Sequence, residues 1–247
     1  MADQESLATC YGGGALWGMG WELGVARALE EAGEPLASAP AIGCSAGAWV
    51  AAAVALGISA VDIESIPLVV PDLCPGALVR HARTLFGYGD APTVRTVVAV
   101  DGDATPQALP AYGHPVADLV AASSAVPGVF APVRFDGMTL VDGMCCGSTT
   151  YADMAADADR LVVMAPLAHP GLVGGRRVLH RLDAELDRWR ARNPGSRIAV
   201  FAPDDEVVAL VALDAPSSTF RIELAVEAEA HGRRQAEQWL RSGILAA

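Results

Sequence analysis

The chain contains no lysine; all 17 of its basic residues are arginine. A P-loop requires Gly-Lys-Ser/Thr, so that phosphate cradle is excluded. A pyridoxal-phosphate Schiff base needs the same amine and is excluded with it. Cysteine is sparse, at five, an odd number with no C-x-x-C pair. That argues for reduced thiols and against a disulfide framework or a structural zinc site. There is no D-x-D-x-D-G loop for calcium, so we expect no metal, and no cofactor either. Arginine is outnumbered by 29 acidic residues, giving a net charge of -12. This surplus argues against nucleic acid as a partner and against firm electrostatic binding to an anionic membrane. Long apolar runs are also missing. The longest, Ala46 to Ile58, is too short to span a bilayer and reads as a buried helix. The opening MADQES is acidic where a secretory signal is basic and then apolar. We therefore expect a cytoplasmic protein without stable membrane insertion.

What the chain does have is 247 residues that are 52% hydrophobic, enough for a large core in one or two domains. Apolar strand-like segments alternate with helical ones. Residues 6–10, 39–43, 95–100, 160–167 and 197–203 read as strands. Residues 22–32, 46–56, 115–124, 176–190 and 220–241 read as helices. Residues 132–143 read as a hairpin turning at Asp136-Gly137. This alternation predicts an α/β fold with a central, mostly parallel, helix-covered sheet. Residues 59–93, rich in Pro and Gly, are the least regular part and read equally as a lid or as a long connection.

Two glycine-rich stretches carry the chemistry. YGGGALWGMGWELG (11–24) holds six glycines and precedes a helical segment. Such a loop offers backbone N–H groups to something negative. Its G-x-G-x-x-G spacing fails from both Gly12 and Gly18. Gly14, Gly18 and Gly20 match short-chain dehydrogenase spacing, but that chemistry needs a Tyr-x-x-x-Lys pair that a chain without lysine lacks. The second stretch, AIGCSAGAWV, places Gly43-Cys44-Ser45-Ala46-Gly47 between a predicted strand and a predicted helix. G-x-S-x-G in that context describes a nucleophile elbow, with Ser45 as nucleophile. The bland alternative is a helix N-cap. Cys44, its neighbour, is expected to point away. None of the five histidines sits in a motif that would make it the base. Asp142, ending an apolar strand in LVDGM, offers a carboxylate whose pKa burial would raise. Read alone, it is as well explained as a turn-forming Asp-Gly. Cys145 and Cys146 come just after it and read as structural or oxidation-sensitive.

Together and in this order, the pieces resemble the patatin-like phospholipases, serine lipid acyl hydrolases, and most closely their short bacterial members. The resemblance covers most of residues 7 to 167. It runs through WELGVARALEEAG, IGCSAGAWV, AASSAVPGVFAPVRFDGMTLVDG and ADMAADADRLVVMAPL. It implies a three-layer α/β/α fold formed by residues 1–247 as a single domain. It implies a Ser45–Asp142 dyad in place of a triad and an oxyanion hole from the backbone of Gly13, Gly14 and Ala15. Gly43, Gly47, Gly18 and Gly143 would then be structural. The implied substrate is a lipid or small apolar acyl ester, and a homo-oligomer stays open. Three departures stand out. Ala15 occupies the family's third loop glycine, which is tolerable only at negative φ. Trp17 stands where the family often has a cation, and Met144 comes after Asp142-Gly143 where glycine or alanine is usual. Trp17 and Met144 are the expected pocket residues. The same acyl-enzyme would serve an acyltransferase or a thioester-processing enzyme, and a catalytically silent binding or regulatory protein is the alternative from another class.

Overall fold

A computed structural model describes residues 5–58, 72–212 and 221–242. In chain order the described elements are β1 (Leu7–Tyr11), α1 (Ala15–Glu31), β2 (Ala41–Cys44), α2 (Ala46–Leu56) and α3 (Ala77–Phe86). They continue with β3 (Val94–Val100), β4 (Pro106–Pro110), α4 (Val116–Ser123), β5 (Val133–Phe135) and β6 (Met138–Asp142). The last are β7 (Arg160–Met164), α5 (Gly175–Arg192), β8 (Arg197–Phe201), α6 (Asp205–Ala212) and α7 (Ile222–Arg241). Strand pairing takes the path β5-β6-β3-β2-β1-β7-β8, with β4 also on β3. The β3-β2-β1-β7-β8 part is parallel.

Strands covered on both faces need apolar residues at every position, and β1 (LATCY) is buried throughout. Alternate residues then feed two cores. Leu7 and Tyr11 pack with Val25 and Leu29 of α1. Ala8 and Cys10 pack with Leu182, Leu186 and Trp189 of α5 on the opposite face. The result is the expected helix–sheet–helix layering.

Three differences from the sequence reading have physical causes. Helix α1 begins at Ala15, not Glu22, so Gly18 and Gly20 lie inside it. Each interior glycine costs a helix about 1 kcal/mol relative to alanine. Close packing against α7 explains why glycine is present. A Cβ on Gly20 would lie 2.7 Å from the Ala225 carbonyl carbon, and one on Gly24 would lie 2.8 Å from Arg233 N. The seam is fastened by Arg27–Glu229 at 2.9 Å and Arg233–Glu31 at 2.6 Å. Second, α3 occupies part of the irregular stretch 59–93; residues 59–71 of that stretch lie outside the described residues, as does Phe220. Third, β4 and α6 escaped notice. β4 is short, partly exposed and bounded by Pro106 and Pro110, as suits an edge strand.

One detail of register positions the site. Residues 95–97 of β3 pair with β2 and also with β4, while residues 98 and 99 pair with β4 and also with β6. A strand has two edges, so β2 and β6 share the edge opposite β4. β2 is parallel to β3 and ends at Cys44, opposite Val97; β6 is antiparallel and ends at Asp142, opposite Val98. The two strands thus run toward each other and stop at adjacent positions.

The α1–α7 seam generates a stability test. Gly24→Ala is expected to destabilise the fold by about 1–3 kcal/mol, because backbone and not a flexible side chain must yield. Gly89→Ala, where an added Cβ meets nothing within 4 Å, is expected to be nearly neutral. Urea unfolding midpoints measure both.

Candidate active site

Ser45 joins β2 to α2 with φ 53° and ψ -123°. A residue with a Cβ is strained there, by about 1–3 kcal/mol. The turn is made compact by its glycines. A Cβ on Gly43 would fall 2.6 Å from Ala48 Cα, and one on Gly47 would fall 2.6 Å from the Gly12 carbonyl oxygen. Close approach, not unusual φ, accounts for both glycines. The Ser45 amide donates to Ser123 Oγ at 2.9 Å, and Ser123 Oγ donates to the Val97 carbonyl at 2.7 Å. This latch ties the elbow to α4 and β3. Ser45 does occupy the N-cap position of α2, yet its side chain makes no capping bond. Cys44 lies in the opposite core with Cys10 and Ile42, pointing away as expected.

Asp142 is fully buried. Its Oδ1 accepts the Met144 amide at 2.8 Å, the turn-forming role. Its Oδ2 has no hydrogen-bond partner. Burial pushes its pKa up to about 6, against the opposing pull of the Met144 amide and the nearby Ser45 hydroxyl. The turn-forming role thus occupies Oδ1 and leaves Oδ2 free of it. A base that titrates near 6 is ionised at neutral pH while remaining basic enough to take a proton. Gly143 is needed beneath it, since a Cβ there would lie 2.6 Å from the Val97 carbonyl oxygen.

The glycine loop passes beside the elbow. A Cβ on Gly13 would lie 3.3 Å from Ser45 Cβ. The Gly12 amide is shared by the Met164 carbonyl at 2.9 Å and Glu22 Oε1 at 2.7 Å. The Gly13 amide donates to the Thr149 carbonyl at 2.8 Å, so of the three amides expected at an oxyanion hole this one is already occupied. Gly14 and Ala15 open α1, where amides have no acceptor within the helix. Ala15 has φ 55°, which corrects the expectation that it requires negative φ. The chain keeps the left-handed turn with a residue that strains it. Gly18 is pressed by Pro166, whose Cβ would stand 3.1 Å from an added Cβ.

A cavity of about 480 Å³ opens at Ser45. Its described lining includes Gly14 and Ala15 and is otherwise dominated by Trp17, Met19, Trp49, Phe130, Met144 and Leu167. The expected pocket residues Trp17 and Met144 are thus both present. Ser124 Oγ, the other hydroxyl in that lining, accepts Trp49 Nε1 at 2.9 Å. No charged side chain lines it among the described residues. Nor does any histidine; His114, His169 and His231 instead stand 3.8, 3.4 and 3.7 Å from Asp136, Asp205 and Glu206. Among the described residues there is no cluster of three potential metal ligands and no helix long and apolar enough to cross a membrane. All five cysteines are free.

The sequence reading missed Ser123, Ser124 and two buried carboxylates, Glu22 and Glu185. The carboxylates left a signal: each interrupts an apolar helical stripe, Glu185 between Leu182 and Leu186.

In comparison with known proteins, the family model described as Patatin-like phospholipase matches residues 72–155. That span contains Asp142; Ser45 and the glycine loop precede it. No curated protein matches the chain.

The raised pKa of Asp142 has a consequence for stability. The folded state holds this proton more tightly than the unfolded chain, whose carboxyl titrates near 4. The buried carboxylate therefore costs stability progressively as pH rises from about 4 to 6, and the full cost, roughly 3 kcal/mol, applies above that. Asp142→Asn is expected to be more stable than wild type at pH 8, with the difference shrinking toward pH 5. Urea titrations across that range measure it. Ala15→Gly, which relieves left-handed strain, is expected to add about 1 kcal/mol.

Proposed function

We propose, on the premise of the patatin-like phospholipase assignment that the match at residues 72–155 supports, that this protein is a serine acyl hydrolase with a Ser45–Asp142 dyad. One observation carries the reading. A serine on a strained backbone turn, free of capping duty, has its hydroxyl near a buried carboxyl, and an apolar cavity opens at that point.

In this reading Ser45 Oγ attacks an acyl carbonyl as Asp142 Oδ2 takes its proton. The tetrahedral oxyanion is held by the amides of Gly14 and Ala15, with Gly13 as the strut that fixes them against Thr149. The proton returns from Asp142 to the departing alcohol, leaving Ser45 acylated. Water then repeats the cycle, giving its proton to Asp142 and releasing the acid. The apolar lining selects the acyl chain. No cation in the described lining meets a phosphate, and residues 1–4, 59–71, 213–220 and 243–247 contain no arginine or histidine that could supply one. This supports an uncharged lipid or a small apolar ester as substrate. The acidic net charge of -12 agrees with that preference. The protein works as a single domain in the cytoplasm, without a cofactor, and nothing in this chemistry requires a second copy.

The test is hydrolysis of p-nitrophenyl esters of graded chain length. Wild type should turn over medium to long acyl esters, and Ser45→Ala and Asp142→Asn should each lose at least roughly 10³-fold in kcat. In wild type kcat should climb with pH through about 6, as Asp142 ionises. A fluorophosphonate probe should label Ser45 in native protein and not after denaturation. Absence of both turnover and labelling would return the chain to a silent binding role.

A further inference from the structure

Glu185 is a buried acid that the proposed chemistry does not use. It lies in α5, on the face of the sheet opposite the cavity, among Leu182, Leu186 and Trp189. Its carboxyl takes three hydrogen bonds and gives none. Ser148 Oγ donates to Oε1; Thr150 Oγ1 donates to Oε2 at 2.7 Å, and the Ala152 amide donates to Oε2 at 2.9 Å. All three donors belong to the short segment 148–152.

That segment touches the site at three points. The Thr149 carbonyl accepts the Gly13 amide at 2.8 Å. The Thr150 carbonyl accepts the Cys10 thiol at 3.1 Å, at the end of β1 from which the glycine loop leaves. Tyr151, held at φ 58°, donates its hydroxyl to the Gly143 carbonyl at 2.6 Å, one residue beyond Asp142. The segment has little regular structure of its own, only the 3-10 turn Ala152–Met154 at its end. Its backbone path is set by the groups that grip it. Arg188–Asp153 and Trp189 Nε1 to the Ala156 carbonyl, at 2.7 and 3.2 Å, hold the residues beyond, further from the site.

We propose that Glu185 is a positioning residue. From the far side of the sheet it fixes segment 148–152, and through that segment both the glycine loop beside Ser45 and the turn that carries Asp142. The inference rests on the acyl-hydrolase reading for its effect on rate, but not for its effect on structure. Its role is geometric: Glu185 touches neither substrate nor the reacting atoms. With the carboxyl loosened, the Gly14 and Ala15 amides drift from the oxyanion. Misplacement on the order of 1 Å in such a site costs about 10²-fold in rate. Substrate binding in the apolar cavity is largely spared, so the loss falls on kcat.

Glu185→Gln keeps the side-chain length but removes the charge and turns one acceptor oxygen into a donor, so all three contacts persist only if the Ser148 hydroxyl reverses its bond, in a weaker, uncharged grip. Leu182→Ala, in the same core and helix but bonded to none of these groups, controls for destabilisation alone. Two measurements are made on each variant and on wild type: ester hydrolysis, and hydrogen–deuterium exchange of peptides covering residues 11–16 and 142–147. Glu185→Gln is expected to lower kcat roughly 10- to 100-fold with KM little changed. Exchange should rise in both peptides while the protein remains folded by thermal melting. Leu182→Ala should lower the melting temperature yet keep wild-type kcat and local exchange. Wild-type kcat and exchange in Glu185→Gln would overturn the proposal, as would an equal kcat loss in Leu182→Ala. If wild type neither hydrolyses esters nor reacts with the probe, the enzymatic reading falls and the exchange data alone decide whether Glu185 positions the two segments.

Discussion

Along one edge of β3, β2 arrives from one end and β6 from the other, and they stop opposite Val97 and Val98. The backbone hydrogen bonds of the sheet set this spacing, and the site inherits it. Cys44 and Asp142 are each the last residue of a strand, and beyond each of them the chain must turn out of the sheet at once. After Cys44 it turns through Ser45 into a helix; after Asp142 it turns through Gly143 into a short 3-10 helix. Ser45 and Asp142 are therefore brought together by the ladder and not by flexible loops. Groups placed at strand ends in this way are held more precisely than groups on loops.

Strain and desolvation are concentrated at the same place. Ser45 and Ala15 hold positive φ without being glycine, and Asp142 is buried with an oxygen unpartnered. Each feature costs the fold free energy. The compensation lies in the close-packed layers around them, above all the α1–α7 seam, where Gly20, Gly24 and Gly232 let backbones approach to a distance no larger residue permits. The glycine-rich stretch that opens α1 thus serves two ends: Gly12 to Gly14 shape the loop, and Gly20 and Gly24 dock the helix.

Much of this was legible in the sequence. The alternation of buried strands with helices announced the layered α/β fold, and G-x-S-x-G between a strand and a helix announced the elbow. Asp136-Gly137 announced its hairpin, with φ of 47° and 79° at the two residues. The start of α1 was not legible, because glycines that look like a loop are tolerated in a helix once a partner helix needs the space, and that partner lies some two hundred residues later. The left-handed φ of Ala15 was not legible either, since propensity forbids it and only the surrounding contacts impose it. The occupied Gly13 amide was invisible for another reason: its acceptor, the Thr149 carbonyl, is backbone and has no residue-type signature.

The tie between Gly13 and Thr149 joins the first strand–helix turn to a segment held by a helix that begins at Gly175. Contacts of such long sequence separation are among the last whose loop-closure entropy is repaid during folding. As the chain leaves the ribosome, Gly13 and Ser45 emerge early, while Asp142, Thr149 and Glu185 emerge later, in that order. A nascent or truncated chain ending before α5 carries Ser45 but lacks the Glu185 carboxyl that grips segment 148–152. On the proposed reading, Ser45 becomes competent for acyl transfer only once α5 has docked on the sheet and gripped segment 148–152.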